Sequence, residues 1–223
     1  MDDLTLANDA LRQNLDELET INTWLGGYQP VLNGLDRLRN KLSVGRPLRV
    51  ADLGSGGGDT LRHVARWARK NEINVELTGI DANPFMLEYA TAKSREYPEI
   101  SFRELDIFSP EFQALPYDAP MCSLFCHHFT DDELVVMLRQ WQRQAQAAVI
   151  INDLHRHWLA YHSIKWLTRL LGGSYLVRHD APLSVARAFQ RADWVALLAR
   201  AGISTYELRW RWAFRWQLII RTS

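Results

Sequence analysis

The chain has 223 residues, enough for one sizeable core and too short for two ordinary domains joined by a linker. Apolar residues make up 47% and charged residues 23%, which excludes a disordered chain, and Lys+Arg equals Asp+Glu at 26 each, which excludes the basic excess of a broad nucleic-acid footprint. No apolar run reaches membrane-span length, no charged-then-apolar leader opens the sequence, and the two cysteines, Cys122 and Cys126, lie too close together for a disulfide framework. The expectation is a reduced, cytoplasmic protein whose nine tryptophans serve a core or an apolar ligand pocket.

In chain order, Leu4, Leu11, Leu15, Leu18, Ile21 and Leu25 recur at helical spacing up to the stop at Gly26-Gly27. A second helix follows Pro30, with Val31, Leu35, Leu38 and Leu42 on one face, and Gly45-Arg46-Pro47 reads as a turn. From Leu48 the pattern alternates strand and helix. Strands are predicted at 48–54, Val75–Ile80, Ile100–Ile107, Met121–Cys126 and Ala147–Asn152. Helices are predicted from Asp59 to about Asn71, from Pro84 to about Ser94, and over Asp131–Gln144. That alternation implies a parallel sheet with helices on both faces. An aromatic-rich helix follows at His157–Leu171, then irregular chain over 174–183, then a helix at Asp193–Ala201 ended by Gly202. Strict alternation from Leu208 to Ile220 predicts two antiparallel terminal strands turning near 211–214. The chain reads as one unit over 1–223, with residues 1–45 as a helical cap and 157–190 as an insertion.

The strongest signal is VADLGSGGGDT, Val50 to Thr60, a strand running through Gly54, Gly56, Gly57 and Gly58 into a helix. Glycines there let backbone N–H groups approach a ligand closely. A dinucleotide loop wants a small residue where this one has Asp59, and a carboxylate at the helix start opposes a pyrophosphate. With Asp52 before the loop and no Lys or Arg within it, the acids suit a ligand carrying an ammonium and a sulfonium. A nicotinamide oxidoreductase is disfavoured for the same reason. Asp81 ends the second strand, where a carboxylate accepts from ribose hydroxyls. Asp106 ends the third, placed to accept from an adenine amine, with Ile107 or Phe108 against the ring.

These segments, with GIDANPFMLEYA, LDIF, YDAPMCSLFCHHFTDDELVVMLRQ and AVIINDLHR, resemble the class I S-adenosylmethionine-dependent methyltransferases. Within them the likeness is to the group that includes the ubiquinone/menaquinone-biosynthesis enzymes and many small-molecule methyltransferases. The resemblance implies a Rossmann-like, seven-stranded, mostly parallel sheet with an antiparallel last strand, and S-adenosyl-L-methionine as cofactor. It implies that Asp52, Gly54, Ser55 and Gly56 face the methionine part, that Asp81 and Ala82 hold the ribose, and that Asp106 and Ile107 meet the adenine. Ser123 and Leu124 would lie near the methyl donor. Asp118 occupies the acid usual before the fourth strand, but Ala119-Pro120 replaces an apolar pair, so that strand is expected to start late.

Methyl transfer to a hydroxyl needs alignment and a base. His127 and His128 follow the fourth strand; His155 follows the fifth, two residues after Asp153, where a carboxylate could tune it. No metal site is expected, since neither Asn152-Asp153 nor His155, His157 and His162 has suitable ligand spacing. The acceptor pocket is expected from three pieces: Trp24 and Tyr28 after the first helix, Trp158, Tyr161, His162, Ile164 and Trp166 on the 157–171 helix, and the terminal-strand aromatics. Arg156, Arg178 and Arg187 are candidates to hold an acid or carbonyl. The reading is O-methylation of a small, aromatic or polyketide-like hydroxylated acceptor in secondary metabolism. Carbon methylation of a quinol-like ring and a silent cofactor-binding module are the alternatives. Contact with a membrane surface is disfavoured, and oligomeric state is left open.

Overall fold

The computed structural model describes residues 9–38, 46–170 and 175–222. Seven strands form one sheet: β1 (Leu48–Leu53), β2 (Val75–Asp81), β3 (Ile100–Glu104), β4 (Ala119–Ser123), β5 (Ala148–Leu154), β6 (Tyr206–Arg211) and β7 (Arg215–Arg221). Their order is β3-β2-β1-β4-β5-β7-β6. β1 to β5 pair in parallel, and β7 runs antiparallel to both β5 and β6. The order reverses between β1 and β4, and an open α/β sheet leaves its ligand crevice beyond the strand ends at such a reversal.

The helices are α1 (Asp9–Trp24), α2 (Gln29–Leu38), α3 (Asp59–Lys70), α4 (Pro84–Lys93), the short α5 (Pro110–Gln113), α6 (Asp131–Gln144), α7 (Trp158–Leu170), α8 (Tyr175–Arg187) and α9 (Arg191–Ala201). Strand alternation sends Val50, Leu77, Met121 and Ile150 to one face, where Val31 and Leu35 of α2 and Leu61, Val64 and Ala65 of α3 cover them. Ala51, Ile80, Cys122 and Ile151 go to the other, under Leu138 and Trp141 of α6 and Trp194 and Leu198 of α9. Because both faces are covered, the central strands read as continuous apolar runs. Leu11 and Leu15 of α1 pack separately on Met86 and Tyr89 of α4.

Three local expectations change. The fourth strand starts at Ala119 and contains Pro120. The Asp118 amide bonds the Arg49 carbonyl, and the Asp118 carbonyl accepts from Ala147 and Ala148, so the residue just before the strand ties into both neighbouring strands. Asp118 itself is buried and takes a bidentate pair from Arg46 at 2.7 Å. Burial pushes its carboxyl up, but Arg46 outweighs that and holds it below the ordinary range. The third strand stops at Glu104, which leaves Asp106 and Ile107 in the following loop. The segment expected to be irregular, 174–183, is largely helix α8, with Pro182 inside it. Val177 and Val185 are buried on α8, which packs against α7 and α1, so tertiary burial overrides the local breaker signal. Leu4, Leu42 and the Gly172-Gly173 stop lie outside the described residues.

Candidate active site

The crevice has two differently built sides. On the β1–β2 side, Gly54 ends the strand with φ +69°, and its N–H and that of Ser55 both donate to the Ile80 carbonyl, at 2.8 and 3.0 Å. A Cβ on Gly54 would lie 2.2 Å from the Phe125 ring, so no larger residue fits. Gly56 has φ +49° and open space where its Cβ would be, so its backbone borders the crevice. Its N–H donates to one oxygen of Asp81 at 2.9 Å, while the other oxygen accepts from Asn83 N–H at 2.9 Å. Asp81 therefore joins the loops that leave β1 and β2. Burial raises its pKa, and the amides partly offset this.

Asp52 is buried, and its Oδ1 has no hydrogen-bond partner; the same holds for the Ser55 hydroxyl. Burial, and then repulsion from Asp59 and Asp81, pushes the Asp52 carboxyl well above the ordinary carboxylate range. Burial of this kind favours the neutral carboxyl, and a cation brought beside it would favour the carboxylate. Asp59 opens α3 and accepts from the Tyr28 hydroxyl at 2.7 Å, and Tyr28 stacks on His63 with ring centres 3.7 Å apart. Arg62, also buried, donates to the Gly57 carbonyl at 2.7 Å and to Glu19 of α1 at 2.8 Å. The first helix is thus tied to the glycine loop. Backbone bordering open space, three acids and no cation in the loop fit a ligand with an ammonium, a sulfonium and ribose hydroxyls. Ala82 is exposed beside Asp81. Asp106 is exposed and accepts from Phe108 N–H at 2.9 Å, while Ile107 is buried.

On the β4–β5 side lies an apolar cavity of about 270 Å³. Ser123 ends β4, and its hydroxyl oxygen lies 3.3 Å from the amide nitrogen of Asn152. Leu124, at φ +55°, donates its N–H to the Asn152 carbonyl at 2.9 Å and lines the cavity. His127 and His128 sit in a 3-10 turn (Cys126–His128), line the cavity, and have ring centres 4.3 Å apart. His127 Nδ1 donates to Asp153 at 2.8 Å, and both side chains are buried. Burial works to raise the Asp153 carboxyl, but His127 outweighs it and the net shift is downward. Asp153 therefore orients His127, and does not tune His155 as its position two residues away suggested. His155 Nδ1 accepts from the Trp210 indole at 3.2 Å, its ring packs on Trp216, and it is absent from the cavity wall. Burial, and then His157, lowers its pKa.

The pocket pieces also differ from expectation. Trp158 and Trp166 are 67% and 68% exposed, and Trp24 is equally open to solvent, so none of them is packed in the core. The α7 residues on the cavity are Ala160, Ser163, Ile164 and Leu167, and Trp212 and Phe214 join from the terminal hairpin. Arg178 and Arg187 are exposed, and Arg156 pairs with Asp193 at the surface. Among the polar side chains of the cavity wall that sequence reasoning missed are Arg215 and Asn14. Arg215 sits inside an otherwise apolar strand, which was the available signal. Asn14 lies on the apolar side of α1, between Leu11 and Leu18.

A family model described as a methyltransferase domain matches residues 50–147. No curated protein sequence matches the chain significantly. Among solved structures, the plantazolicin methyltransferase BpumL in complex with SAH is similar with TM-score 0.67 and 17% identity, covering 96% of this chain and 89% of that one. The magnesium protoporphyrin IX methyltransferase ChlM of Synechocystis PCC 6803, with bound SAH, gives 0.57 and 20%, covering 88% and 84%. The citrinin polyketide synthase CMeT domain gives 0.64 and 18% over 87% of this chain, which spans about half of that one, 52%. These likenesses show a shared fold. The match over residues 50–147 is to a methyltransferase domain, and it takes in the glycine loop, Asp81 and Asp106 just described.

Proposed function

We propose that the enzyme O-methylates a small, hydroxylated, aromatic or polyketide-like acceptor, and that His127 is the general base. The observation that carries this is the His127–Asp153 pair on the wall of an apolar cavity at the same sheet edge as the glycine loop. Asp52 and the Gly54–Gly56 backbone hold the methionine end of S-adenosylmethionine, Asp81 and Ala82 the ribose, and Asp106 and Ile107 the adenine, with Ser123 and Leu124 near the transferred group. The cofactor supplies an electrophilic methyl carbon on a positively charged sulfur. With Nδ1–H committed to Asp153, His127 presents Nε2 to the acceptor hydroxyl and takes its proton as the new carbon–oxygen bond forms. Asp153 then stabilises the imidazolium. Apolar walls from α7 and α8 exclude water and align the acceptor, and alignment of this kind supplies roughly 7–11 kcal/mol of a barrier. His128 positions the acceptor beside His127.

In this reading residues 1–45 and 157–190 are additions to one methyltransferase unit, and both shape the acceptor side. We place the enzyme in secondary metabolism and in the cytoplasm, where the buried free thiols of Cys122 and Cys126, 3.6 Å apart, stay reduced. Among the described residues no helix is long and apolar enough to cross a membrane. Carbon methylation of a quinol-like ring is the second reading, supported by the likeness to the CMeT domain. There the same base takes the ring hydroxyl proton and the ring carbon forms the bond.

The test is a screen of phenols with isotopically labelled cofactor. S-adenosylhomocysteine should raise the melting temperature and NADH should not. His127→Gln should lower the rate with a hydroxyl acceptor ~10²–10⁴-fold while keeping the melting shift given by S-adenosylhomocysteine. An unchanged rate removes the base role.

A further inference from the structure

Arg215 opens β7 opposite Leu154, and because β7 runs against the other strands, its first residue lies at the edge where the cavity sits. The side chain is 3% exposed and lines the cavity. One guanidinium nitrogen donates to Asn22 at 2.8 Å; Nε has no partner, and among the described residues no carboxylate forms an ion pair with it. Gly27 makes room for the group: a Cβ there would meet the guanidinium at 2.9 Å. Burial lowers the pKa to about 10, so the charge is present at neutral pH. The charges of Asp153 and Asp59 act on the guanidinium but neither carboxylate bonds it, so its Nε–H is left without a partner. Asn14, 1% exposed, lines the same cavity, and both atoms of its amide lack partners. Of the cavity's other polar groups, His127 bonds Asp153, Asp180 bonds His179, and Asn22 bonds Arg215 itself.

Resting on the reading that this cavity takes the methyl acceptor, we propose that Arg215 forms a carboxylate-binding subsite, with Asn14 as a separate polar contact farther along the cavity, so that the acceptor is an aromatic hydroxy acid. The carboxylate takes the free Nε edge of Arg215. The Asn14 amide, about two turns along α1 from Asn22, meets a polar group farther along the acceptor, and the acceptor's hydroxyl faces His127. A planar guanidinium edge matches the two oxygens of a carboxylate, and the bond is charge-assisted.

The test uses the full chain saturated with S-adenosylhomocysteine, titrated with hydroxybenzoic and hydroxynaphthoic acids and with their methyl esters. The acids should bind at least tenfold tighter than the esters. Arg215→Gln should lose at least tenfold of the acid affinity and none of the S-adenosylhomocysteine affinity, and Arg215→Lys should recover only part of it. Should Arg215→Gln fail to fold, Arg215→Lys serves: acid affinity falls and cofactor affinity stays. Esters binding as well as acids, no acid binding, or no change in the variants overturns the subsite. Loss of S-adenosylhomocysteine binding by the unmodified enzyme would instead overturn the cofactor site, so the two failures are separable.

Discussion

The two sides of the crevice solve different electrostatic problems. Around the glycine loop the buried excess is negative: Asp52, Asp59 and Asp81 crowd together, and burial raises the pKa of each. Across the crevice the buried charges are mixed: the Asp153 carboxylate holds His127 and acts on Arg215 from a distance, and the Arg215 Nε has no partner. Each side is unsatisfied alone, in the sense its ligand would correct: a cationic donor for the first, an anionic acceptor for the second. A second contrast is in material. The donor side is mostly backbone from one stretch of sequence, whereas the acceptor side is side chains brought from positions 14, 127, 153 and 215 by the sheet order.

The contrast in material breaks most easily at Gly54. Gly54→Ala forces a Cβ to 2.2 Å from Phe125 and holds alanine at φ +69°. Overpacking of ~1–3 kcal/mol adds to left-handed strain of ~1–2 kcal/mol. The expected loss is therefore about 2–5 kcal/mol in urea unfolding, with cofactor affinity down more than a hundredfold in calorimetry. Gly56→Ala meets open space at φ +49°, so only the strain remains and the stability loss is about 1–2 kcal/mol. Equal stability losses for the two variants would show that the loop is held by conformation alone and that Phe125 yields.

The electrostatic contrast is sharpened by two buried carboxylates that titrate in opposite senses. Asp52 has a folded pKa above its unfolded value. Its unfolded form therefore loses the proton first, and stability without cofactor declines as pH rises from the ordinary carboxylate range through the folded pKa. Asp52→Asn should abolish that decline and raise the melting temperature at neutral pH. It should also weaken S-adenosylmethionine binding at least tenfold. In the unmodified enzyme cofactor affinity should rise over the same pH range, as the carboxyl ionises. Asp153 has a folded pKa below its unfolded value, so its contribution is present above the unfolded pKa and is lost as pH falls through the folded one. Asp153→Asn should lower the melting temperature at neutral pH. Unfolding curves for both variants from acid to neutral pH check the signs, and a common sign would mean the two sides do not differ as described.

How much of this was legible in the sequence follows the same division. The strand–glycine–helix run of 50–60 and the acids at 52 and 81 are local, so spacing alone places them, and the strand alternation carries most of the sheet. The Asp153 partner was not legible: His155 is two residues away, but it lies past the end of β5 and its ring packs toward Trp210 and Trp216, while the turn after β4 brings His127 to the carboxylate. Helix α8 was hidden because Arg178, His179 and Asp180 interrupt its apolar spacing and Pro182 marks a break. The aromatic residues of α7 suggested a pocket lining by composition, yet helical phase places aliphatic Ala160, Ile164 and Leu167 on the cavity and leaves Trp158 and Trp166 exposed.

The smallest expected effect concerns the arginines that composition singled out. Arg156 donates to the Ala188 carbonyl at 3.0 Å and to Asp193 at 2.8 Å, and both charged side chains remain well exposed, at 44% and 36%. Exposed pairs of this kind contribute about 0–1 kcal/mol because solvent screens the attraction and ordering two side chains offsets it. Arg156 is also absent from the cavity wall. Arg156→Gln should therefore leave the affinity for hydroxybenzoic acids within twofold and stability within about 1 kcal/mol. If acid affinity instead fell with Arg156 and held with Arg215→Gln, the anion would enter from the surface beside α9, and the Arg215 charge buried under the acceptor cavity would belong to folding, with no part in recognition.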